Sequence, residues 1–392
     1  MEYSKKRLLD FNCADRTRRG RVDTPFAVIS ILLLAIGVIM VLSASFARAY
    51  YDPDKKATYY FTRQLFFALS GCGIMYMASL VPINFLRRWA LPFIVASAIM
   101  LLLVLVAGQR ANGATRWFAI GGISFQPSEI AKLAVILFDA RLICAYRGKM
   151  GTFRFGVLPF GIVAVTIVGL LVLEPHLSAS IIILGVTAAM MFMGGTGLKW
   201  FFIIGGIALG GLALMAFGMD YSSDRISAWL DPFADSSDTG YQIVQSLYSI
   251  GSGGLSGLGL GQSRQKNLYL PEEHNDFIFA VVCEEMGFIG ASAILCLFAL
   301  LIIRGFWIAM HCRDRYHLLV CGGISALLAL QVILNVAVVT NLIPCTGISL
   351  PFFSYGGTAL WLQLAEMGII LSASRSVTGK INRRLKEPEG AH

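Results

Sequence analysis

The chain has 392 residues, of which 56% are hydrophobic and 14% charged, and its formal net charge is +9. With a mean hydropathy of +0.70, it is too apolar for an ordinary soluble protein. The basic excess does not require nucleic-acid binding, because cationic loops at a membrane surface contact anionic lipid. We therefore predict a membrane protein without a nucleic-acid partner.

Apolar runs long enough to cross a hydrocarbon core of about 30 Å as helices recur along the chain. The first is longer than the apolar core of a signal peptide, so we predict that it is retained. The fold class expected is an all-α polytopic membrane protein with about ten transmembrane helices. The predicted spans are residues 25–45, 65–82, 90–107, 127–145, 157–173, 177–194, 199–219, 276–304, 318–342 and 357–373.

Ten spans would place both termini on one side of the membrane, and basic residues indicate which side. The tails at residues 1–24 and 375–392 are rich in Lys and Arg, as are the short loops on the same side. Because such loops favour the cytoplasm, we predict that both termini are cytoplasmic. Residues 25–374 then form one transmembrane domain, with a large extracellular loop at 220–275 between helices 7 and 8.

The large loop contains a glycine-rich run at residues 251–261. It lacks the Gly-Lys-Ser/Thr ending of a phosphate loop, so we predict that its glycines allow sharp turns and close backbone approach. Arg264 and Lys266 follow. They are candidates to bind an anionic head group, or they are solvated surface charges.

Asp276 stands where this loop meets the apolar eighth helix. Ionisable groups at bilayer depth are costly to keep, so this acid is a functional candidate. Glu284 and Glu285 lie about two turns further along, and one of them is predicted to pair within the bundle, with a proton relay as the alternative.

Glu129 and Lys132 are three residues apart and therefore share one face of the fourth helix. They form an ion pair, or their face lines a polar cavity in which Lys132 meets a diphosphate. Glu174 lies in a turn on the same side and either approaches Lys132 or belongs only to the turn. Residues 343–357 are rich in Pro and Gly and predict a cavity, since irregular backbone at membrane depth must line one or be buried.

The sequence contains no HExxH motif, no Cys/His cluster and no CxxC pair. Acidic and histidine residues between 272 and 276 could ligate a divalent cation such as Mg or Mn, but their spacing does not require one. We predict no dedicated metal site, and the eight cysteines are expected to be packing residues.

Several strings in this order resemble the SEDS family (shape, elongation, division and sporulation), which includes FtsW, RodA and SpoVE. They lie at residues 125–129, 241–252, 261–266, 270–277, 284–287 and 350–357. The resemblance covers about residues 25–375, and the strings at 261–266 and 341–344 are closer to the FtsW/SpoVE branch than to RodA. Glu273, Asn275 and Thr358 are departures from the family pattern, and none of them is the candidate acid.

The resemblance implies a peptidoglycan glycosyltransferase that polymerises lipid II at the outer face of the bacterial cytoplasmic (cell) membrane. Its expected partners are a class B penicillin-binding protein and the divisome or elongasome, with a role in division favoured over elongation or sporulation. Asp276 would be the catalytic aspartate. The remaining substrate-binding candidates are Arg116, Glu129, Lys132, Glu174, Gln245, Ser246, Arg264, Lys266 and Ser354.

We predict an inverting glycosyl transfer in which Asp276 acts as the general base on the acceptor hydroxyl. Lys132, Arg116 or a divalent cation would stabilise the leaving undecaprenyl diphosphate. Two alternatives stay open at the sequence level. One is a lipid II flippase that uses the same cavity, and the other is a scaffold that recruits a synthase.

Overall fold

The computed structural model describes residues 20–111, 114–120, 123–203, 205–206, 229–234 and 240–384. Three short strands are β1 (Gln109–Ala111), β2 (Ala114–Ile120) and β3 (Ile123–Phe125). The helices are α1 (Thr24–Tyr51), α2 (Tyr59–Leu80), α3 (Ile83–Ala107), α4 (Pro127–Ala145), α5 (Phe153–Gly156), α6 (Leu158–Leu173), α7 (Leu177–Gly194), α8 (Tyr241–Gly253), α9 (Ile278–His311), α10 (Arg315–Val339) and α11 (Gly357–Arg384).

Six helical stretches in the described residues are long and apolar enough to cross a membrane: Thr24–Tyr51, Ile83–Ala107, Phe153–Leu173, Leu177–Gly194, Ile278–His311 and Arg315–Val339. Helices α2, α4 and α11 have similar lengths but are more polar, with side chains such as Arg63, Lys132 and Glu366. Helix α10 lies in the centre of the bundle, since 67% of its apolar window is buried, against 28% for α3 and α9. The chain is thus a mostly helical, multi-pass membrane protein.

These helices overlap nine of the ten predicted spans, and α4 and α7 match the predicted bounds 127–145 and 177–194. The seventh span, 199–219, lies mostly outside the described residues, although residues 198–203 are helical. Parts of the predicted loop at 220–275 also lie outside them. The count of ten helices and the extent of this loop therefore stay predictions.

The expectation of an all-α fold is wrong between α3 and α4. There, the three strands form an antiparallel sheet in the order β1-β2-β3, with Gln109 opposite Trp117 and Phe118 opposite Phe125. The sheet pairs backbone groups that would otherwise need water. Strands of three to seven residues are too short for their alternation to stand out beside long apolar runs.

Helix α9 is broken at Gly287, whose backbone has φ 66° and ψ −171°. The glycine-rich run after α8 fills the break and takes over the freed backbone hydrogen bonds. The donor and acceptor pairs are Leu258 N to Glu284 O, Gly259 N to Glu285 O, Phe288 N to Gly254 O and Ile289 N to Leu255 O, at 2.9–3.1 Å.

The two backbones approach so closely because the contact positions carry glycine. A Cβ on Gly253 would lie 2.0 Å from the carbonyl oxygen of Cys283, and one on Gly257 would lie 2.2 Å from that of Glu285. This geometry confirms the prediction of sharp turns and close backbone approach. The loop that precedes Asp276 is thereby attached to the helix that follows it.

The start of α1 and the ends of α9 and α11 lie together. Asp23 caps α1 by accepting a hydrogen bond from the Phe26 N–H at 3.0 Å, and it pairs with Arg304 of α9 through both carboxylate oxygens, at 2.7 and 3.1 Å. The Gly20 N–H donates to the carbonyl of Arg375 at 3.1 Å. The first and last described segments therefore meet at the same end of the bundle.

Candidate active site

A cavity of about 410 Å³ is lined by residues of α2, α4, α7, α10 and α11, of strand β2 and of segment 347–357. Its lining includes the ionisable side chains of Arg63, Arg116, Glu129, Lys132, His176, Glu272, Asp276 and Glu366. Helices α2, α4 and α11 are less apolar than the six long apolar stretches because each of them turns polar side chains toward this cavity. The predicted cavity at residues 343–357 is confirmed, since nine residues between 347 and 357 line it.

Asp276 lies in the turn just before α9 and lines this cavity. The side-chain amide of Asn335, on α10, donates to the backbone carbonyls of Asp276 at 2.8 Å and of Ile348 at 2.6 Å. One carboxylate oxygen of Asp276 lies 3.1 Å from where a Cβ on Gly347 would stand. A buried amide thus holds the backbone of Asp276, and the glycine at 347 leaves room for its carboxyl group.

The surroundings of Asp276 change its acidity. Its pKa is raised from the ordinary value to about 6, first by burial and then by the negative charge of Glu272, with Arg116 acting in the opposite direction. A carboxylate with this pKa is still ionised at neutral pH but holds a proton more tightly than an exposed aspartate. These are the properties of a general base.

The Glu129–Lys132 pair lies one turn inside α4. The ammonium of Lys132 is 2.7 Å from the Glu129 carboxylate, and Lys132 is only 4% exposed. Glu366 of α11 also interacts electrostatically with Lys132. The ion pair and the cavity-lining face, two alternative interpretations of the sequence, are both present in the structure. The buried ammonium is placed to meet negative charge inside the cavity.

Arg116 attaches the small sheet to the turn between α6 and α7. Its guanidinium donates to the carbonyl of Glu174 at 3.2 Å and to that of Pro175. The carboxyl group of Glu174 is buried beside this contact, and burial raises its pKa to about 8. Glu174 is not part of the cavity lining, but its neighbour His176 is. Burial, with Arg116 and Lys132 nearby, lowers the pKa of His176 to about 3, so its imidazole is neutral.

Ser354 lines the cavity and also braces its wall. Its hydroxyl donates to the carbonyl of Asn275 at 2.8 Å and accepts from the Leu350 N–H at 2.7 Å. The Tyr355 N–H donates to the carbonyl of His274 at 2.9 Å. Segment 350–355 is therefore hydrogen-bonded directly to the turn that carries Asp276.

Gln245 and Ser246, which the resemblance gave as substrate-binding candidates, do not line this cavity. The hydroxyl of Ser246 donates to the carbonyl of Val339 at 2.8 Å. This bond docks α8 on α10, and Gln245, half-buried, lies on the same short helix. The motif that they belong to positions α8 against α10 rather than forming the cavity wall.

Lys266 and Arg264 are also outside this lining. Lys266 is buried, with its ammonium 2.7 Å from Glu285 and 3.0 Å from the Ser43 hydroxyl, which itself donates to Glu285 at 2.6 Å. This contact confirms that Glu285 pairs within the bundle. The Arg264 side chain is exposed, while its backbone N–H donates to Glu284 at 2.9 Å.

Several cavity residues were not identified from the sequence: Arg63, His176, Gln331, Gln363 and Glu366. Asn335, which holds the Asp276 carbonyl, was also missed. Most of these are single polar residues within apolar helices. Because a polar side chain is energetically costly inside a membrane, each could have been identified as a functional candidate from the sequence. What the sequence did not supply was which helix faces turn toward one another.

The donor set does not fit a resident metal ion. Among the residues that the structure describes, no three His, Cys, Asp or Glu side chains come together in a cluster that could hold one. The positive groups of the cavity are Lys132, Arg116 and Arg63. These three side chains are placed to stabilise negative charge inside the cavity.

Comparison with known proteins adds to this geometry. The family model FTSW_RODA_SPOVE, described as "Cell cycle protein", matches residues 24–379. Stage V sporulation protein E of Bacillus subtilis (strain 168) is 41% identical over 364 residues, which cover 92% of this chain and 98% of the relative. A probable peptidoglycan glycosyltransferase FtsW of Geobacter sp. (strain M18) is 37% identical, covering 91% of this chain and 98% of the relative.

A solved structure is also similar to this chain. It is described as showing the structural coordination of polymerization and crosslinking by a peptidoglycan synthase complex. Its matching chain is 29% identical, the TM-score is 0.75, and the match covers 91% of this chain and 98% of that chain. The likeness therefore extends over almost the whole of both chains.

Proposed function

The chain belongs to the FtsW/RodA/SpoVE family, the SEDS proteins, and from this membership we propose that it is a peptidoglycan glycosyltransferase that polymerises lipid II. Relatives of the same length carry the name of that enzyme. The observation that carries the proposal is the buried cavity that joins Asp276 to Lys132 and Arg116. It combines a base with cations, which a transfer from a diphosphate-linked sugar requires.

In this mechanism the carboxylate of Asp276 removes the proton from the 4-hydroxyl of the acceptor sugar. The hydroxyl oxygen then attacks the anomeric carbon of the donor, whose bond to the undecaprenyl diphosphate breaks with inversion. Lys132 and Arg116 stabilise the negative charge of the leaving diphosphate. Ser354 and Asn335 hold the turn that carries the base.

The proposed topology has ten transmembrane helices, both termini in the cytoplasm and the loop of residues 220–275 outside. The meeting of the first and last described segments at one end of the bundle supports a shared side for the termini. In this orientation Asp276 lies at the outer interface, where the sugar head group of a lipid-anchored substrate would be found. A class B penicillin-binding protein is the proposed partner that crosslinks the glycan.

Reconstitution in liposomes with lipid II and no added transferase tests the function. The proposal predicts glycan strands whose formation is lost when Asp276 is replaced. Head-group translocation without polymer would instead support a flippase, and a chain with neither activity that still recruits a synthase would be a scaffold. Either result would refute the glycosyltransferase.

The proposed setting is cell division, as in FtsW. A role in sporulation is the second candidate, because a sporulation protein is 41% identical to this chain, against 37% for an FtsW relative. A fluorescently tagged copy at midcell in growing cells would support division. Enrichment at the forespore would support the second candidate.

The acidity of Asp276 predicts the pH dependence of the reaction. With a pKa of about 6, the base is about one-tenth ionised at pH 5 and about nine-tenths at pH 7, so kcat/KM should rise about tenfold. Because Glu272 raises this pKa, Glu272→Gln should shift the rise to lower pH, while Arg116→Gln should shift it to higher pH. Initial polymerisation rates across this range check both directions, and an unmoved profile in both variants would contradict the assignment.

Lys132→Met should lower kcat by about 10²- to 10³-fold, the usual cost of removing a group that stabilises developing negative charge. The single change also leaves the half-buried Glu129 without its partner. The double variant Glu129→Gln/Lys132→Met removes that charge and serves as the matched control. If the double variant regained the parent rate, Lys132 would have only a structural role.

A further inference from the structure

A second cavity, of about 620 Å³, lies between the outer half of α1 and residues 260–267. In the part of the chain that the structure describes, it shares no lining residue with the candidate active site. A substrate bound here would therefore be away from Asp276. The groove is therefore a separate candidate binding site.

One wall of the groove is apolar. It is formed by Ile39, Leu42 and Phe46 of α1, which are three or four residues apart and so share one helix face. Ile39 is 52% exposed and Phe46 is 47% exposed. These exposed side chains belong to the surface that α1 presents to the surroundings of the bundle. An aliphatic chain would lie along this surface.

The opposite side of the groove is polar. Lys266 and Ser43 form its floor, and Arg264 stands at its rim. The Lys266 ammonium is already balanced by Glu285 at 2.7 Å. The Arg264 side chain is exposed and forms no ion pair with any described residue, although its backbone is held by Glu284. Arg264 is thus the unbalanced positive charge of the groove.

The depth of the groove is marked by aromatic residues on α1. Phe46 stacks on Tyr50 with ring centroids 6.3 Å apart, and Tyr50 and Tyr51 are both about two-thirds exposed, at 66% and 65%. Exposed aromatic side chains at the end of a transmembrane helix mark the head-group level of a bilayer. Phe46, which lines the groove, therefore lies next to this level, and Ile39, two turns earlier in α1, lies toward the hydrocarbon.

We propose that this groove binds an anionic phospholipid, with its phosphate at Arg264 and one acyl chain along Ile39 and Leu42. The apolar wall matches the acyl chain of a phospholipid. The polar donors and the unbalanced guanidinium match its phosphate. A planar guanidinium binds phosphate oxygens through paired hydrogen bonds. Net charge at Arg264 favours an anionic lipid over a zwitterionic one.

The purified full-length chain in detergent can be titrated with phosphatidylglycerol and with phosphatidylcholine, and bound lipid measured by native mass spectrometry. We expect the parent to prefer phosphatidylglycerol. Arg264→Ala should weaken that binding by about fivefold, the usual contribution of one basic residue near a membrane surface, while Arg264→Lys should retain the preference. Arg264 is exposed, so these variants should fold as the parent does.

Leu42→Trp fills the groove and should reduce binding of both lipids, whereas Leu32→Trp, at an exposed position of the same helix outside the groove, should not. A phosphatidylglycerol carrying a photoreactive acyl chain should crosslink to residues 39–47. Equal affinity for the two lipids, or no effect of Arg264→Ala, would overturn the proposal. So would displacement of phosphatidylglycerol by a polyprenyl diphosphate, which would make the groove a substrate site.

Discussion

Replacing Asp276 by Asn is expected to lower polymerisation of lipid II by about 10²- to 10⁴-fold, the usual contribution of a general base. The amide has nearly the same shape as the carboxyl group but does not accept the proton of the acceptor hydroxyl. The contacts that hold this turn, from Asn335 and Ser354, are made to the backbone rather than to the carboxylate. The fold should therefore survive while the chemical step is lost.

The measurement is the rate of glycan formation by purified protein in detergent or liposomes. Asp54→Asn is the matched control, because Asp54 is an exposed aspartate in the turn between α1 and α2. It should polymerise at the parent rate. A normal rate in Asp276→Asn, with unchanged thermal unfolding, would show that another group is the base.

Gly287→Ala is expected to prevent stable folding of α9 around its break. The backbone at φ 66° and ψ −171° lies in a region that essentially only glycine occupies, at a cost on the order of 1–3 kcal/mol for other residues. A Cβ would also lie 2.2 Å from the backbone nitrogen of Gly257. The added carbon would force the glycine-rich run away from the break in the helix.

Thermal unfolding of the purified variant and its yield from the membrane check this expectation. Gly251→Ala is the control, since a Cβ at Gly251 meets nothing within 4 Å and its backbone is helical. Alanine there should be neutral or stabilise the helix by about 1 kcal/mol. Equal stability of the two variants would mean that the close approach of the two backbones does not hold α9.

The predictable features of this protein come from local sequence. Hydropathy located the long helices because spanning a bilayer requires about 20 apolar residues in succession. The spacing of Glu129 and Lys132 gave their ion pair, which is observed at 2.7 Å. The position of Asp276 at the end of an apolar helix marked it as a candidate, and the cavity contains it.

The features that were missed depend on how the helices pack. Glu366 and Gln331 reach the cavity only because α10 and α11 turn those faces toward α4, and no local pattern specifies that rotation. Ser246 was a substrate-binding candidate, but it lies outside the cavity lining and its hydroxyl docks α8 on α10. Lys266 was predicted as a head-group ligand, but a buried glutamate 19 residues away in the sequence neutralises it.

The most direct test of the central claim is a structure of the Asp276→Asn variant bound to unreacted lipid II. We expect the acceptor 4-hydroxyl within about 2.6–3.2 Å of the side chain at position 276, the reach of a general base. The donor diphosphate should contact Lys132 and Arg116. A substrate bound with its sugars away from this cavity, or with its diphosphate far from both cations, would contradict the account.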